Sequence, residues 1–184
     1  MAFTVAAAFE RFCKNLRFSD DNLSKISNRY HSITKRINID YWGTSSDSSH
    51  SLYVGSYGRD TEIFTSDIDM LVQLPYSTYE KFNAYTSNGQ SALLQEVKKV
   101  IEKTYSVTHL KADGQIISIP FSDGINFEVL PAFINKDDSS YTFANSNNGG
   151  LWKVTNPRAE IAEIQSMNCQ CNSNLKRLCK MSRA

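Results

Sequence analysis

Apolar residues recur at three- and four-residue spacing along the N-terminal part of the chain. Phe9, Phe12, Cys13 and Leu16 fall on one stripe of a helix predicted over residues 4–17, with Thr4 as its N-cap. Phe18-Ser-Asp-Asp21 breaks and recaps the chain. Leu23, Ile26, Tyr30, Ile33 and Ile37 then give the clearest amphipathic pattern in the protein. A polar loop, Gly43–His50, leads into a short strand over 51–54. A Gly-Ser turn, a short helical segment and a strand over 67–74 follow, closed by Pro75. Residues 78–87 and 90–104 read as helices, the second burying Leu93, Leu94, Val97, Val100 and Ile101. The period then changes to two. Strands are predicted over 107–111, 115–121 and 125–133, with Ser122-Asp-Gly124 turning between the last two.

Residues 135–150, rich in Asn, Ser, Asp and Gly, are expected to form a mobile loop. Asn156-Pro157 starts a helix with an N-cap and a proline at its first position, and Ile161, Ile164 and Met167 supply its apolar side. A last helix is predicted from about Ser173, with Leu175, Leu178 and Cys179 turned inward. It runs to Ala184 without a stop signal, so a chain cut before a second lobe is expected.

At 184 residues and 41% hydrophobic, the chain can build a core and is not disordered. A net charge of +1 excludes a strongly basic nucleic-acid coat, and no strong nucleic-acid binding is expected. Lys25, Arg29 and Lys35 or Arg36 read as a solvated helix face. The apolar N-terminus lacks a basic leader and is interrupted by Glu10 and Arg11, which argues against a signal peptide. No run approaches the roughly 20 apolar residues of a membrane span. Cys13, Cys169, Cys171 and Cys179 contain no CxxC pair, so free thiols in a cytoplasmic protein are favoured over a zinc site.

Three pieces carry chemistry. Gly55-Ser56 allows close backbone approach to a ligand, and a helix starting there would favour a phosphate. Asp67 and Asp69 fall on one side of the following strand, about 7 Å apart by strand rise, with Ile68 and Met70 on the other. Two such carboxylates repel unless a cation sits between them, and hard cations such as Mg²⁺ take carboxylate and phosphate oxygens. Glu128 lies in Ile125-Asn-Phe-Glu-Val-Leu-Pro-Ala-Phe133, where Phe127 and Val129 share one face and Asn126, Glu128 and Leu130 the other. An acid in an inner strand needs a partner. If that strand lies beside 67–74, three carboxylates form one wall, suited to two metal ions and attack at phosphorus.

Gly-Ser, an Asp-x-Asp eleven positions on, and a distant acidic strand resemble the DNA polymerase β-type nucleotidyltransferases. GSYGRDTEIFTSDIDMLVQLP and NFEVLPAF are similar more specifically to the bacterial cyclic GMP-AMP synthase/DncV-like nucleotidyltransferases, as are Gly150-Leu-Trp-Lys-Val-Thr-Asn-Pro157 and Asn174–Lys180. The resemblance implies an α+β fold: a mixed sheet with packing helices, and a C-terminal helical lobe largely beyond this sequence. Residues 1–50 would be helices packing on a catalytic core over 51–134, and 151–184 the start of that lobe. It implies synthesis of a cyclic oligonucleotide messenger in anti-phage signalling from ATP, GTP, CTP or UTP. Gly55 and Ser56 would hold phosphates. Asp67, Asp69 and Glu128 would be catalytic and bind two Mg²⁺ ions, with Mn²⁺ as substitute. Lys180 would contact the triphosphate, with an exposed lysine as the plainer reading, and a regulatory protein partner is implied. Glu128 stands where many relatives carry aspartate. Two alternatives remain: a nucleotidyltransferase acting on another acceptor, and a degenerate domain that binds nucleotides or a partner.

Overall fold

The computed structural model describes residues 4–65 and 67–184. Helix α1 (Val5–Asn15) begins where Thr4 Oγ1 accepts the Ala7 amide at 3.2 Å, and α2 (Asp20–Ile37) begins where Ser19 Oγ accepts that of Asn22. The last turn of α2 widens into a π-helical segment, Asn38–Trp42, which ends on Gly43 in the left-handed conformation. Strand β1 (Ser51–Tyr53), the four-residue helix α3 (Gly55–Gly58) and strand β2 (Ile68–Gln73) follow, then α4 (Tyr76–Asn83) and α5 (Gly89–Glu102). The rest is β3 (Lys111–Asp113), β4 (Ile116–Pro120), β5 (Asn126–Ile134), β6 (Tyr141–Asn145), β7 (Leu151–Thr155), α6 (Pro157–Gln170) and α7 (Leu175–Met181).

The described strands form one mixed sheet. β5 is its axis. It pairs in parallel with β2 along one edge; along the other it pairs antiparallel with β4 through its first half and with β6 through its second. β1 closes one side on β2, while β3 and β7 extend the other. Alternation then sorts the side chains. Ile68, Met70, Val72, Phe127 and Val129 join Ile26 and Ile33 of α2 and Leu93, Val97 and Ile101 of α5 in one core, all at or near zero exposure. The opposite face carries a smaller cluster, Leu71, Ala132, Tyr141 and Phe143.

α2 is also tied down by polar contacts. Thr34 and Ser51 hydroxyls lie 2.7 Å apart, and Ser51 donates to the Tyr30 hydroxyl at 2.9 Å, joining the helix to β1. Arg29, predicted as part of a solvated face, instead makes a two-pronged ion pair with Asp123 at 3.1 and 2.8 Å, its guanidinium 3.8 Å over the Phe121 ring. The Asp123 carboxylate also accepts from the Ile125 amide, which fixes the turn between β4 and β5.

Four further expectations are corrected. Strand β3 lies at 111–113 rather than 107–111, because Asp113 Oδ1 caps the Gly114 amide and the positive φ of Gly114 makes a tight turn there; Val107 is almost fully exposed. Residues 135–150 are not one loop. Asp137 accepts the Ser139 and Ser140 amides and closes a turn, after which Tyr141 and Phe143 drive a strand into the sheet. Residues 151–155 form a further strand, β7, on its edge. In α7, Leu178 is exposed and Lys180 is the buried residue, because the inward face of the helix is ion-paired. The four cysteines are free, and no described helix is long and apolar enough to cross a membrane.

The Arg29–Asp123 clamp gives a test. Hydrogen bonds from Arg29 hold the Asp123 carboxyl below its usual range. Asp123→Asn should cost about 1 kcal/mol of stability at neutral pH. Because the folded-state value is lowered, that advantage is complete above the ordinary aspartate value of 3.8 and is lost as pH falls through the folded-state value. Thermal unfolding of both proteins across pH 7 to 3 should show the curves converging on the acid side.

Candidate active site

Parallel pairing of β2 with β5 sets Ile68 opposite Phe127 and Asp69 opposite Glu128. With Ile68 and Phe127 in the core, Asp69 and Glu128 must emerge side by side on the other face, each half-buried. Burial is the largest influence on both acids, and a hydrogen bond between the two carboxyls lowers Asp69 and raises Glu128. Burial raises both above the usual carboxylate range. The charge of Asp67 adds to that rise in both, and the charge of Asp69 raises Glu128 further. Asp67 stands just ahead of β2 and is exposed.

The turn before β2 is built around Asp69. The Val54 amide donates to the Asp69 carbonyl at 3.0 Å, and the Ser56 amide donates to its carboxylate. Gly55 has φ of +58°, and a Cβ there would lie 1.9 Å from Asp69 Oδ2. Glycine is therefore required twice, for the backbone conformation and for the space the carboxylate occupies. Ser56 is buried at the first turn of α3, its carbonyl accepting the Thr61 amide at 2.9 Å. Arg59 caps the same short helix, and its charge acts on Asp69 in the opposite sense to the acids. Its guanidinium meets Glu160 of α6 at 3.0 Å.

Lys180, on α7, meets the loop after α3. Its Nζ donates to Asp60 Oδ1 at 2.9 Å and Glu62 Oε1 at 3.2 Å, and the side chain is almost buried. Lys176 approaches Asp60 as well, at 3.6 Å. The structure thus brings Gly55, Ser56, Asp69 and Glu128 into one site, sets Asp67 at its exposed edge, and links Lys180 to it through residues 60–62. Arg59 and Glu160 are additions that sequence reasoning missed. The only signal for Arg59 was its place within the Gly-Ser segment.

Among the described residues, no three His, Cys, Asp or Glu side chains are gathered closely enough to hold a metal ion. The chemistry of the donor pair nonetheless suits a hard divalent cation. Two half-buried carboxyls raised by burial and mutual charge are oxygen donors lacking a counter-charge.

The family model described as the Second Messenger Oligonucleotide or Dinucleotide Synthetase domain matches residues 3–168. No curated protein matches. Among solved structures, the Bradyrhizobium diazoefficiens CD-NTase CdnG in complex with GTP superposes with a TM-score of 0.66 at 14% identity, covering 88% of this chain and 47% of its own. Elizabethkingia meningoseptica CdnE cyclic dinucleotide synthase with GTP and Apcpp gives 0.61 at 16% identity, covering 88% and 63%. The Escherichia coli MS115-1 CdnC:HORMA-deltaN complex gives 0.64 at 10% identity, covering 97% and 54%. The chain therefore spans between about half and under two thirds of the length of these proteins, and at such identities the likeness is one of fold.

Two substitutions probe the site without any ligand. Gly55→Ala should displace the Asp69 carboxylate and cost about 1–3 kcal/mol, read by chemical unfolding. Glu128→Gln places an amide that can donate beside Asp69 and discards a carboxylate charge. With chelator present it should raise the melting temperature by about 2–4 °C, the shift expected for relief of about 1 kcal/mol in a domain of this size. An unchanged or lower value would remove charge repulsion as the dominant feature of the pair.

Proposed function

This chain belongs to the Second Messenger Oligonucleotide or Dinucleotide Synthetase domain family, and on that premise we propose that it supplies the carboxylate wall of a metal-dependent nucleotidyltransferase making a cyclic oligonucleotide messenger. The observation that carries the reading is the register Asp69↔Glu128 on the face opposite the core, directly after the Gly55-Ser56 turn. Fold likeness to CdnG and CdnE, solved with GTP, supports nucleoside triphosphates as substrates, drawn from ATP, GTP, CTP and UTP.

In this reading a ribose hydroxyl of one nucleotide attacks the α-phosphorus of another. The bond to pyrophosphate breaks, and a second attack closes the ring. Asp69 and Glu128 line the wall against which hydroxyl and phosphorus are set, Asp67 completes it at the exposed edge, and the Gly55-Ser56 turn faces the phosphates. Two Mg²⁺ ions, with Mn²⁺ as substitute, would be held by these three carboxylates and would supply a lowered hydroxyl pKa and neutralisation of charge on the phosphate oxygens. Lys180, paired with Asp60 and Glu62, would brace the loop that follows the Gly55-Ser56 turn on the phosphate side. A cytoplasmic role in anti-phage signalling under a regulatory protein partner completes the proposal; CdnC, solved in complex with HORMA-deltaN, is the relative that supports such a partner.

The test is incubation with labelled ATP, GTP, CTP and UTP plus Mg²⁺ or Mn²⁺, followed by phosphatase. Phosphatase-resistant product is expected, and Asp69→Ala should abolish it while leaving the circular dichroism spectrum unchanged. Retention of more than about a tenth of the activity, a barrier change of no more than about 1.4 kcal/mol, would sink the assignment of Asp69. Label transferred to an added acceptor would instead identify a modifying enzyme, and nucleotide binding without turnover a binding domain.

A further inference from the structure

A cavity lies toward the other end of the strands that carry the carboxylates. Glu128 is near the start of β5 and Ile134 at its end, six residues on, which is about 20 Å along an extended strand. There Tyr76 and Tyr79 of α4, Phe133, Asn135, Lys136 and Thr142 line a cavity of about 430 Å³. That size falls within the range of small-molecule sites, and the lining has their usual character, aromatic with a few polar groups.

The aromatic wall is fixed before any ligand arrives. Tyr79 is held between Phe133, at 5.4 Å and a steep angle, and Trp152, at 4.8 Å. The Trp152 indole donates to Asn83 Oδ1 at 3.0 Å, so the backing ring is anchored to α4. Tyr76 lies nearly parallel to Tyr79, tilted by 26°, and is 63% exposed, leaving much of that aromatic side chain open to stack on a planar group.

The polar side is equally set. Thr142 donates to Asn135 Oδ1 and the Asn135 amide donates to Ser140 Oγ, both at 2.8 Å, so these groups are held by each other. Asp137, the nearest carboxylate in sequence to Lys136, is used up by the turn. It accepts from the Ser139 and Ser140 amides and the Ser140 hydroxyl. Lys136 is exposed and makes no ion pair among the described residues, so its ammonium is available to an anion at the aromatic wall.

We propose that this cavity is a second ligand site, separate from the carboxylate wall, which takes a planar aromatic ring bearing an anionic group. A nucleoside monophosphate has that chemistry: the base stacks on Tyr76 and the phosphate pairs with Lys136. The proposal does not rest on the catalytic reading and stands or falls without it.

The experiment titrates AMP and GMP into the chain in chelator, so that a metal-dependent site stays unloaded, and follows the fluorescence of its two tryptophans, Trp42 and Trp152, and calorimetric heat. Saturable binding is expected at millimolar concentration or below. Tyr76→Ala and Lys136→Glu should each weaken it at least fivefold, with circular dichroism confirming that both variants fold, while Asp69→Asn should leave it unchanged. Adenosine and guanosine, which lack the phosphate, should bind at least fivefold more weakly than the monophosphates. Absence of saturable binding, equal binding of the uncharged nucleosides, or loss with Asp69→Asn but not with Tyr76→Ala would each overturn the proposal.

Discussion

The parallel pairing of β2 with β5 is the constraint on which the rest depends. Because strand side chains alternate, one register decision does two things at once. It sends Ile68, Met70, Phe127 and Val129 into the core under α2 and α5, and it forces Asp69 and Glu128 together on the reverse side. A slip of one residue would bury the acids and expose the apolar set, so the same hydrophobic burial that stabilises the sheet holds two mutually repelling carboxyls in contact. The cost of that contact is visible in the upward displacement of both acids by burial and mutual charge. It is met by a large buried apolar cluster on the opposite face. Arg59, the positive charge that acts on Asp69, is itself engaged by Glu160.

Much of this was legible in the amino-acid sequence because alternation is a local signal. The faces of both inner strands follow from Ile68-Asp-Met70 and Phe127-Glu-Val129 alone, and the helix starts at Thr4, Ser19 and Asn156 follow from capping chemistry. The family resemblance pointed to the same mixed α+β fold, and the domain-family match agrees with it. What stayed hidden depends on residues far apart in the chain or on turns whose composition looks like disorder. Residues 135–150 are polar on average, yet Tyr141 and Phe143 alternate within them, and Asp137 turns the chain by accepting backbone amides. An average over the window erases both signals. The Asp113-Gly114 turn, overlooked beside the more apolar 107–111, shifted β3 for the same reason.

The last helix shows a different limit. Leu175, Leu178 and Cys179 look like an inward stripe, but the surface that α7 meets is Asp60 and Glu62, so the lysine face turns in and Leu178 faces out. Hydrophobic period predicts burial only when the partner surface is apolar. Here the partner is the loop that follows the Gly55-Ser56 turn. Lys180 is thereby coupled to the carboxylate site through residues 60–62 and not through the sheet. Asp60 has a positive φ, so this linking loop is also one of the places where the backbone departs from its easy conformations.

The two ends of the β2–β5 pair differ in kind, and the difference follows from how β5 changes partners. Along its first half β5 lies between β2 and β4, and regular pairing on both edges projects Glu128 from a rigid strand. Along its second half the β4 edge passes to β6, and the chain leaves the sheet through the Asn135–Ser140 turn. Sheet edges that change partner cannot be filled by regular side-chain layers, so α4 and Trp152 pack there with aromatic rings at oblique angles and leave a cavity. One strand therefore presents charge without a counter-ion at one end and aromatic surface beside an unpaired lysine at the other. Chemistry that needs a carboxylate pair belongs to the first. Recognition of a flat anion is favoured at the second, where Lys136 stands beside the aromatic wall and the Asp137 carboxylate is held in the turn by the Ser139 and Ser140 amides.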